Sequence, residues 1–128
     1  MTARAMPSVT AIDHVQLAMP AGREDDARRF YSGLLGLPER AKPPALAARG
    51  GAWFESPTVK IHLGVEADFR PARKAHPALR VRDLRALVAV LRTGGHAVVE
   101  DGPVEGHDRV YVDDPFGNRI ELIDEGNG

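Results

Sequence analysis

The order of predicted elements in the first half of the chain recurs in the second half. Each half opens with a histidine on a predicted strand, His14 in one and His76 in the other. Each then continues with an amphipathic helix and further strands, which gives the order strand, helix, three strands twice. A chain of 128 residues that repeats its pattern once is expected to fold as two similar modules, about residues 10–66 and 75–124.

The first half shows both periodicities clearly. Residues 10–19 alternate between two faces, which predicts a strand, and residues 23–35 place apolar side chains at the spacing of an amphipathic helix with acids in its first turn. Residues 37–50 contain three prolines and are expected to form a loop or an irregular edge strand. Two strands joined by a turn are predicted at 52–55 and 59–65.

The second half repeats this order with different residues. Asp83 is a candidate N-cap for a helix over 84–92, where leucine and valine form one apolar stripe. Four strands are predicted around that helix, at 76–81, 96–100, 109–112 and 119–123. The closing hairpins of the two halves also correspond, because His62 lies five residues after Pro57 and Glu121 six residues after Pro115.

Composition excludes several classes of partner and compartment. The net charge is −1 with acids and bases interspersed, and this argues against nucleic acid as a ligand. No apolar run approaches the roughly 20 residues that a membrane span needs. The chain has no cysteine, which excludes disulfides and thiolate ligands and fits a cytoplasmic protein. Residues 1–9 are expected to be a flexible arm, and residues 10–125 a single domain.

Four side chains form a candidate metal site if the halves are related by a two-fold axis. They lie on the strand faces opposite the aliphatic residues, two near the opening strands and two on the closing ones: His14, His62, His76 and Glu121. Three imidazoles and a carboxylate suit a divalent transition metal, Zn, Ni, Fe, Co or Mn, and do not suit Ca or Mg. A metal cup between the two half-sheets is therefore expected, within one chain or across two.

Arg109 and Tyr111 share one face of a predicted strand near that site. If the face lines the cup, the two side chains are candidate substrate-binding residues for an anionic or aromatic molecule, and the alternative is that they only make cross-strand pairs. Trp53 and Phe54 are adjacent, so only one of them can face the cup.

Three segments of the chain closely resemble the vicinal oxygen chelate superfamily, which includes glyoxalases, bleomycin resistance proteins and extradiol dioxygenases. They are residues 12–15 (IDHV), 26–37 (DARRFYSGLLGL) and, most specifically, 113–122 (DDPFGNRIEL). The resemblance implies an α+β fold in which two βαβββ modules form an incomplete barrel around a divalent metal. It implies that the metal ligands fall at His14, His62, His76 and Glu121.

The histidine at position 62 departs from the family pattern. Glyoxalase I-like members usually carry a glutamate there, and dioxygenase-like and fosfomycin-transferase-like members use two histidines and a glutamate that match His14, His76 and Glu121. His62 is therefore either a fourth ligand or a base that stands off the metal. Bleomycin-binding members typically lack the ligand set altogether.

The resemblance implies an enzyme that chelates oxygen atoms of a small-molecule substrate on the metal. Lyase or isomerase chemistry of the glyoxalase type is expected first, with Glu121 as the catalytic base and His62 as the second candidate. The alternatives are an extradiol-type ring-cleaving dioxygenase and a non-catalytic binding protein that sequesters a drug or metabolite. A homodimer is expected, because members of this size usually pair and the half-open sheets leave edges to cover.

Overall fold

A computed structural model describes residues 6–126, which form two four-stranded mixed sheets and a few short helices. The first sheet consists of β1 (Val15–Met19), β2 (Glu39–Arg40), β3 (Ala52–Glu55) and β4 (Lys60–Val65). The second consists of β5 (Ala78–Val81), β6 (Val98–Glu100), β7 (Arg109–Asp113) and β8 (Arg119–Asp124). The helices are α1 (Glu24–Ala27), which continues as a π-helical segment (Arg28–Leu34), α2 (Pro44–Ala47) and α3 (Leu84–Thr93).

The two sheets have the same topology. Their strand orders are β1-β4-β3-β2 and β5-β8-β7-β6, and in each sheet the opening strand pairs in parallel with the closing one while the remaining pairs are antiparallel. In each module a helix connects the opening strand to the others, as the parallel pairing requires. The predicted fold of two βαβββ modules that form an incomplete barrel is confirmed, because neither sheet closes on itself.

Several predicted boundaries were wrong at the opening ends of strands. β1 begins at Val15 and not at residue 10. Val15 pairs with Ile61, and β4 begins only one residue earlier, at Lys60, so β4 has almost no partner to offer residues before Val15. β5 begins at Ala78 and not at residue 76, since Pro77 has no N–H to donate to a ladder. β6 begins at Val98 and not at residue 96. The loop or irregular edge strand expected at 37–50 is present in part as β2, at the edge of the first sheet, and the segment also contains α2.

The helical predictions agree better with the structure. The helix expected at 23–35 is present as α1 and the π-helical segment, with three acids in its first turn and Gly36 in a left-handed conformation after its end. Asp83 caps α3 as expected, since its side chain accepts a hydrogen bond from the Ala86 N–H at 3.3 Å. Residues 1–5 of the predicted arm lie outside the described residues, and residues 6–14 belong to no helix or strand.

One continuous hydrophobic core joins the modules. The buried residues of β1, β3 and β4 form a single cluster with those of α3, β7 and β8, and Phe30 and Tyr31 of the π-helical segment belong to the same cluster. Each sheet therefore turns its apolar face toward this core. The opposite face of each sheet, which we call its outer face, carries the polar residues.

A buried polar clamp also links the modules. The Tyr31 hydroxyl donates to Asp114 Oδ2 at 2.7 Å, and Asn118 Nδ2 donates to the Ala18 carbonyl at 2.9 Å. Asp114 Oδ1 accepts from the backbone N–H groups of Phe116 and Asn118. The turn between β7 and β8 is thus held from within and tied to the first module.

None of the helices among residues 6–126 combines the length and the apolar character that crossing a membrane would take.

Candidate functional site

The predicted site residues lie on the outer faces of the two sheets. His14 immediately precedes β1, and His62 lies in the middle of β4. His76 precedes β5, with Pro77 between them, and Glu121 lies in the middle of β8. The structure brings His14 together with His62, and His76 together with Glu121.

The first pair is part of an aromatic stack. The His14 and His62 rings lie with their centroids 4.3 Å apart and their planes 20° apart, and Trp53 stacks on the other side of His62 at 4.1 Å and 6°. Trp53 reaches this position because its Cα is paired with that of His62 across β3 and β4. Of the two adjacent aromatic residues, Trp53 faces the site and Phe54 is fully buried in the core.

A carboxylate holds the His62 ring from the side. His62 Nε2 lies 2.6 Å from Glu55 Oε2, and Arg40 Nη1 donates to Glu55 Oε1 at 3.0 Å. The His62 hydrogen bond, supported by Arg40, holds the pKa of Glu55 below its ordinary value. The first half-site is therefore a histidine stack with a nearly buried carboxylate at its edge.

The second pair belongs to a charged network. His76 Nε2 lies 3.0 Å from Glu121 Oε1, and Arg109 Nη1 donates to Glu121 Oε2 at 3.1 Å. Arg109 Nη1 also donates to the Tyr111 hydroxyl at 2.9 Å. The Glu121 carboxylate is the main cause that raises the pKa of Arg109. Arg119 lies over the Tyr111 ring, with its guanidinium carbon 5.2 Å from the ring centre.

The strand register shows that the two half-sites are equivalent. In the first module the residue two after His14, Gln16, pairs with His62, and in the second the residue two after His76, Ala78, pairs with Glu121. The next strand supplies Trp53 opposite His62 and Tyr111 opposite Glu121. The symmetry inferred from the sequence therefore holds residue by residue at the site.

The described chain does not assemble the four side chains into one cluster. Within residues 6–126 no group of three or more histidine and carboxylate side chains is arranged to hold a metal ion. Each pair lies on the face of its sheet opposite the buried apolar residues. The chain presents two half-sites.

Hydrogen bonds select which ring nitrogens are available as ligands. His14 Nδ1 is 2.8 Å from Asp13 Oδ1, and His76 Nδ1 is 2.9 Å from the Lys74 carbonyl. Since a carboxylate only accepts, Nδ1 of His14 is the protonated nitrogen and its Nε2 carries the lone pair. His76 differs, because both of its ring nitrogens face acceptors, Nδ1 the Lys74 carbonyl and Nε2 the Glu121 carboxylate.

Each half-site adjoins open space on its sheet. A hollow of about 260 Å³ lies beside Trp53, and its rim carries Gln16, Lys42 and Arg49. A larger hollow of about 580 Å³ lies along Tyr111 and Arg119 in the second module. Both hollows have polar and aromatic walls.

Sequence reasoning missed Glu55, Arg40 and Arg119 as members of the site. The alternation of β3 was a usable signal for Glu55, because it shares a face with Trp53 two residues earlier. Arg40 had no such signal, since β2 lies in a proline-rich stretch that shows no periodicity.

Comparison with known proteins identifies the fold and the family. The sequence model of the Glyoxalase/Bleomycin resistance protein/Dioxygenase superfamily matches residues 11–122. A crystal structure of a glyoxalase family protein from Bacillus anthracis is 42% identical, covers 94% of this chain and 98% of its own, and superposes with a TM-score of 0.88. No curated protein matches the sequence.

Two more distant structures show the fold alone. The fosfomycin resistance protein FosX from Listeria monocytogenes is 13% identical, covers 94% of this chain and 95% of its own, and has a TM-score of 0.72. TnmS3, an antibiotic binding protein from Streptomyces sp. CB03234, is 24% identical, covers 91% of this chain and 98% of its own, and has a TM-score of 0.67.

Proposed function

This chain belongs to the glyoxalase/bleomycin resistance/dioxygenase superfamily, and we propose that it is a metal-dependent enzyme that acts on a small molecule. The single observation that carries the proposal is the pair of register-matched half-sites on the outer faces of the two sheets. A lyase or isomerase reaction of the glyoxalase type fits them best, because each half-site contains a group that can take a proton, the His62 imidazole in one and the Glu121 carboxylate in the other.

The residues of the half-sites fit a divalent transition metal. His14 and His76 each have Nδ1 tied to an oxygen, which leaves Nε2 to ligate, and such outer partners are usual for metal-binding histidines. The proposed ligands are His14, His62, His76 and Glu121. When bound, a metal of this kind supplies Lewis acidity that polarises chelated substrate oxygens and stabilises an enolate or oxyanion.

The protein's own residues supply the proton transfer. Glu121 is the proposed base, because its two oxygens face His76 and Arg109 and the carboxylate is only 8% exposed. Arg109 and Tyr111 flank that carboxylate and are proposed to orient an anionic or aromatic part of the substrate. His62 is the second candidate for the base, on the opposite half-site.

We further propose that a second copy of the chain completes the site. The support is that the two half-sites form no common cluster within residues 6–126, and they would meet if the first module of one copy faced the second module of its partner. A two-fold dimer would build two such sites at once. The cytoplasmic location inferred from the lack of cysteine stays a prediction.

Mixed dimers test this arrangement directly. His14→Ala and His76→Ala each damage a different half-site, so each variant alone should lose both sites of its dimer. Unfolding and refolding the two together in equal amounts should restore about one quarter of the sites, since half of the dimers are mixed and each mixed dimer contains one undamaged site. Titration with Co²⁺ measures the restored sites, and a mixture that binds no more than the separate variants contradicts assembly across two chains.

Activity assays distinguish the reaction types. The purified protein should take up Ni²⁺ or Zn²⁺, and hemithioacetal turnover with those metals should be compared with oxygen uptake on catechols with Fe²⁺. Turnover of the hemithioacetal supports the glyoxalase-type proposal, and oxygen uptake supports the ring-cleaving alternative. A protein that takes up no transition metal contradicts both.

A binding protein without turnover is the second candidate function. The observation that favours it is the flat aromatic stack of Trp53, His62 and His14, which offers a planar molecule a stacking surface in either case. Quenching of Trp53 fluorescence by a planar ligand, unaffected by a chelator and without turnover, is the result expected of a protein that only sequesters it.

A further inference from the structure

We propose that Glu55 is a positioning residue. It holds His62 so that the ring nitrogen facing the proposed metal is not the one that the other two histidines present. Glu55 makes His62 the Nε2–H tautomer, so that His62 presents Nδ1 to the proposed metal while His14 and His76 present Nε2. The metal-binding part of this inference rests on the proposed function, but the orientation of His62 can be tested without any metal.

The contact between His62 and Glu55 pairs a donor with an acceptor. The 2.6 Å separation of His62 Nε2 and Glu55 Oε2 is that of a short hydrogen bond to a charged group, and the Glu55 side chain is only 9% exposed. Arg40 binds the other oxygen of Glu55, and this keeps the carboxylate charged and in place. A charged carboxylate can only accept, so the proton of the neutral His62 ring lies on Nε2.

Stacking and hydrogen bonding have separate effects on the ring. Trp53 and His14, on the two faces of His62, fix the plane of the imidazole. A half-turn about the Cβ–Cγ bond would return the ring to the same plane and keep both stacks, but it would exchange the nitrogen and carbon edges of the ring. Glu55 is the contact that distinguishes the two orientations, because it bonds the nitrogen and not a carbon.

The remaining nitrogen of His62 is available. His62 Nδ1 makes no hydrogen bond within the described residues, and none of their buried side-chain nitrogen or oxygen atoms lacks a partner. Nδ1 therefore reaches the outer face with its lone pair. In His14 the arrangement is the reverse, because Asp13 Oδ1 accepts from Nδ1 and leaves the lone pair on Nε2.

The tautomers can be measured on the metal-free full chain. In protein labelled with ¹⁵N at histidine and studied at a pH where imidazoles are neutral, nitrogen shifts distinguish protonated from unprotonated ring positions. We expect Nε2–H for His62 and Nδ1–H for His14, with His62→Ala used to assign its signals. In Glu55→Ala, His62 should become a mixture of tautomers. An Nδ1–H tautomer for His62 in the unmodified protein overturns the inference.

Metal titration tests the consequence for binding. Glu55→Ala should weaken Co²⁺ binding by about 10- to 100-fold and change the cobalt absorption spectrum, as expected when the outer partner of a ligand is removed. Glu55→Gln, whose amide oxygen can still accept from Nε2, should restore most of the affinity. Glu39→Ala is the matched control, because Glu39 lies on the neighbouring strand and its carboxylate binds Arg28 and not Glu55 or His62 among the described residues.

The outcomes separate this inference from the proposed function. If Glu55→Ala binds Co²⁺ with the affinity and spectrum of the unmodified protein, Glu55 does not position a ligand and the inference fails while the metal site stands. If the unmodified protein binds no Co²⁺, the proposed function fails, and the tautomer of His62 in the metal-free chain alone decides the role of Glu55.

Discussion

Removing the Tyr31 hydroxyl should destabilise the protein more than removing a hydroxyl on the surface would. Tyr31 is completely buried, and its hydroxyl donates at 2.7 Å to the carboxylate of Asp114, which is 4% exposed. Hydrogen bonds to charged groups contribute about 1.5–3 kcal/mol to stability. We expect Tyr31→Phe to lower the free energy of unfolding toward the lower end of that range, because Asp114 keeps its bonds from Asn118 and from two backbone N–H groups.

Urea unfolding measures this change, and the chain provides a matched control. The single tryptophan, Trp53, reports on the first module by fluorescence, and far-ultraviolet circular dichroism reports on the whole chain. The only other tyrosine, Tyr111, lies on the outer face and its hydroxyl accepts from Arg109. Tyr111→Phe should lower the free energy of unfolding by less than about 1 kcal/mol.

A particular result would refute the reasoning about the clamp. If Tyr31→Phe changed the free energy of unfolding by less than about 0.5 kcal/mol, the size of an ordinary surface substitution, the bond to Asp114 would contribute nothing net. The same conclusion would follow if Tyr31→Phe and Tyr111→Phe were equally destabilising. Coincident transitions by fluorescence and circular dichroism are the check that both free energies refer to one cooperative unfolding step.

The remaining predictions concern pH, backbone conformation and catalysis. Burial, and then the charge of a neighbouring carboxylate, raise the pKa of Tyr31, so its contribution to stability is complete below the unfolded-state value of about 10 and is lost as pH rises above it. Stability measured above about pH 10 should therefore fall less steeply in Tyr31→Phe than in Tyr111→Phe, and parallel curves would contradict this. Gly51 has φ 83°, and a Cβ there would lie 2.1 Å from a backbone oxygen of β4, whereas Gly22 has φ 82° with open space around it. Gly51→Ala should lower the free energy of unfolding by more than the roughly 1–3 kcal/mol that a strained backbone alone costs. In the same urea assay Gly22→Ala should show only that backbone cost. Glu121→Gln should lower kcat by about 10²–10⁴-fold if the carboxylate is the base, with an unchanged circular dichroism spectrum, and a small effect on kcat would remove it from that role.

Local periodicity was sufficient to predict the half-sites. Alternation along the strands placed His62 and Glu121 opposite the aliphatic residues, and the repeat of the element order related His14 to His76. These inferences depend on interactions between near neighbours in the chain, which a sequence records directly. The register of both sheets agrees with them.

Other features of the candidate site depend on contacts between distant segments. Arg40 reaches Glu55 only because β2 pairs with β3 across a proline-rich stretch without periodicity. The clamp between Tyr31 and Asp114 joins residues 83 positions apart. Such pairings follow from packing, and no local pattern predicts them.

The sequence by itself determined that the chain forms two equivalent modules and which face of each carries the histidines and the glutamate. Only the tertiary structure decided how those faces are oriented, because the apolar sides of both modules bury each other in one core. Among residues 6–126 the pair His14 and His62 and the pair His76 and Glu121 form no common cluster. Alternation along a strand fixes which side chains share a face, whereas the distance between the faces of two sheets depends on packing between distant segments.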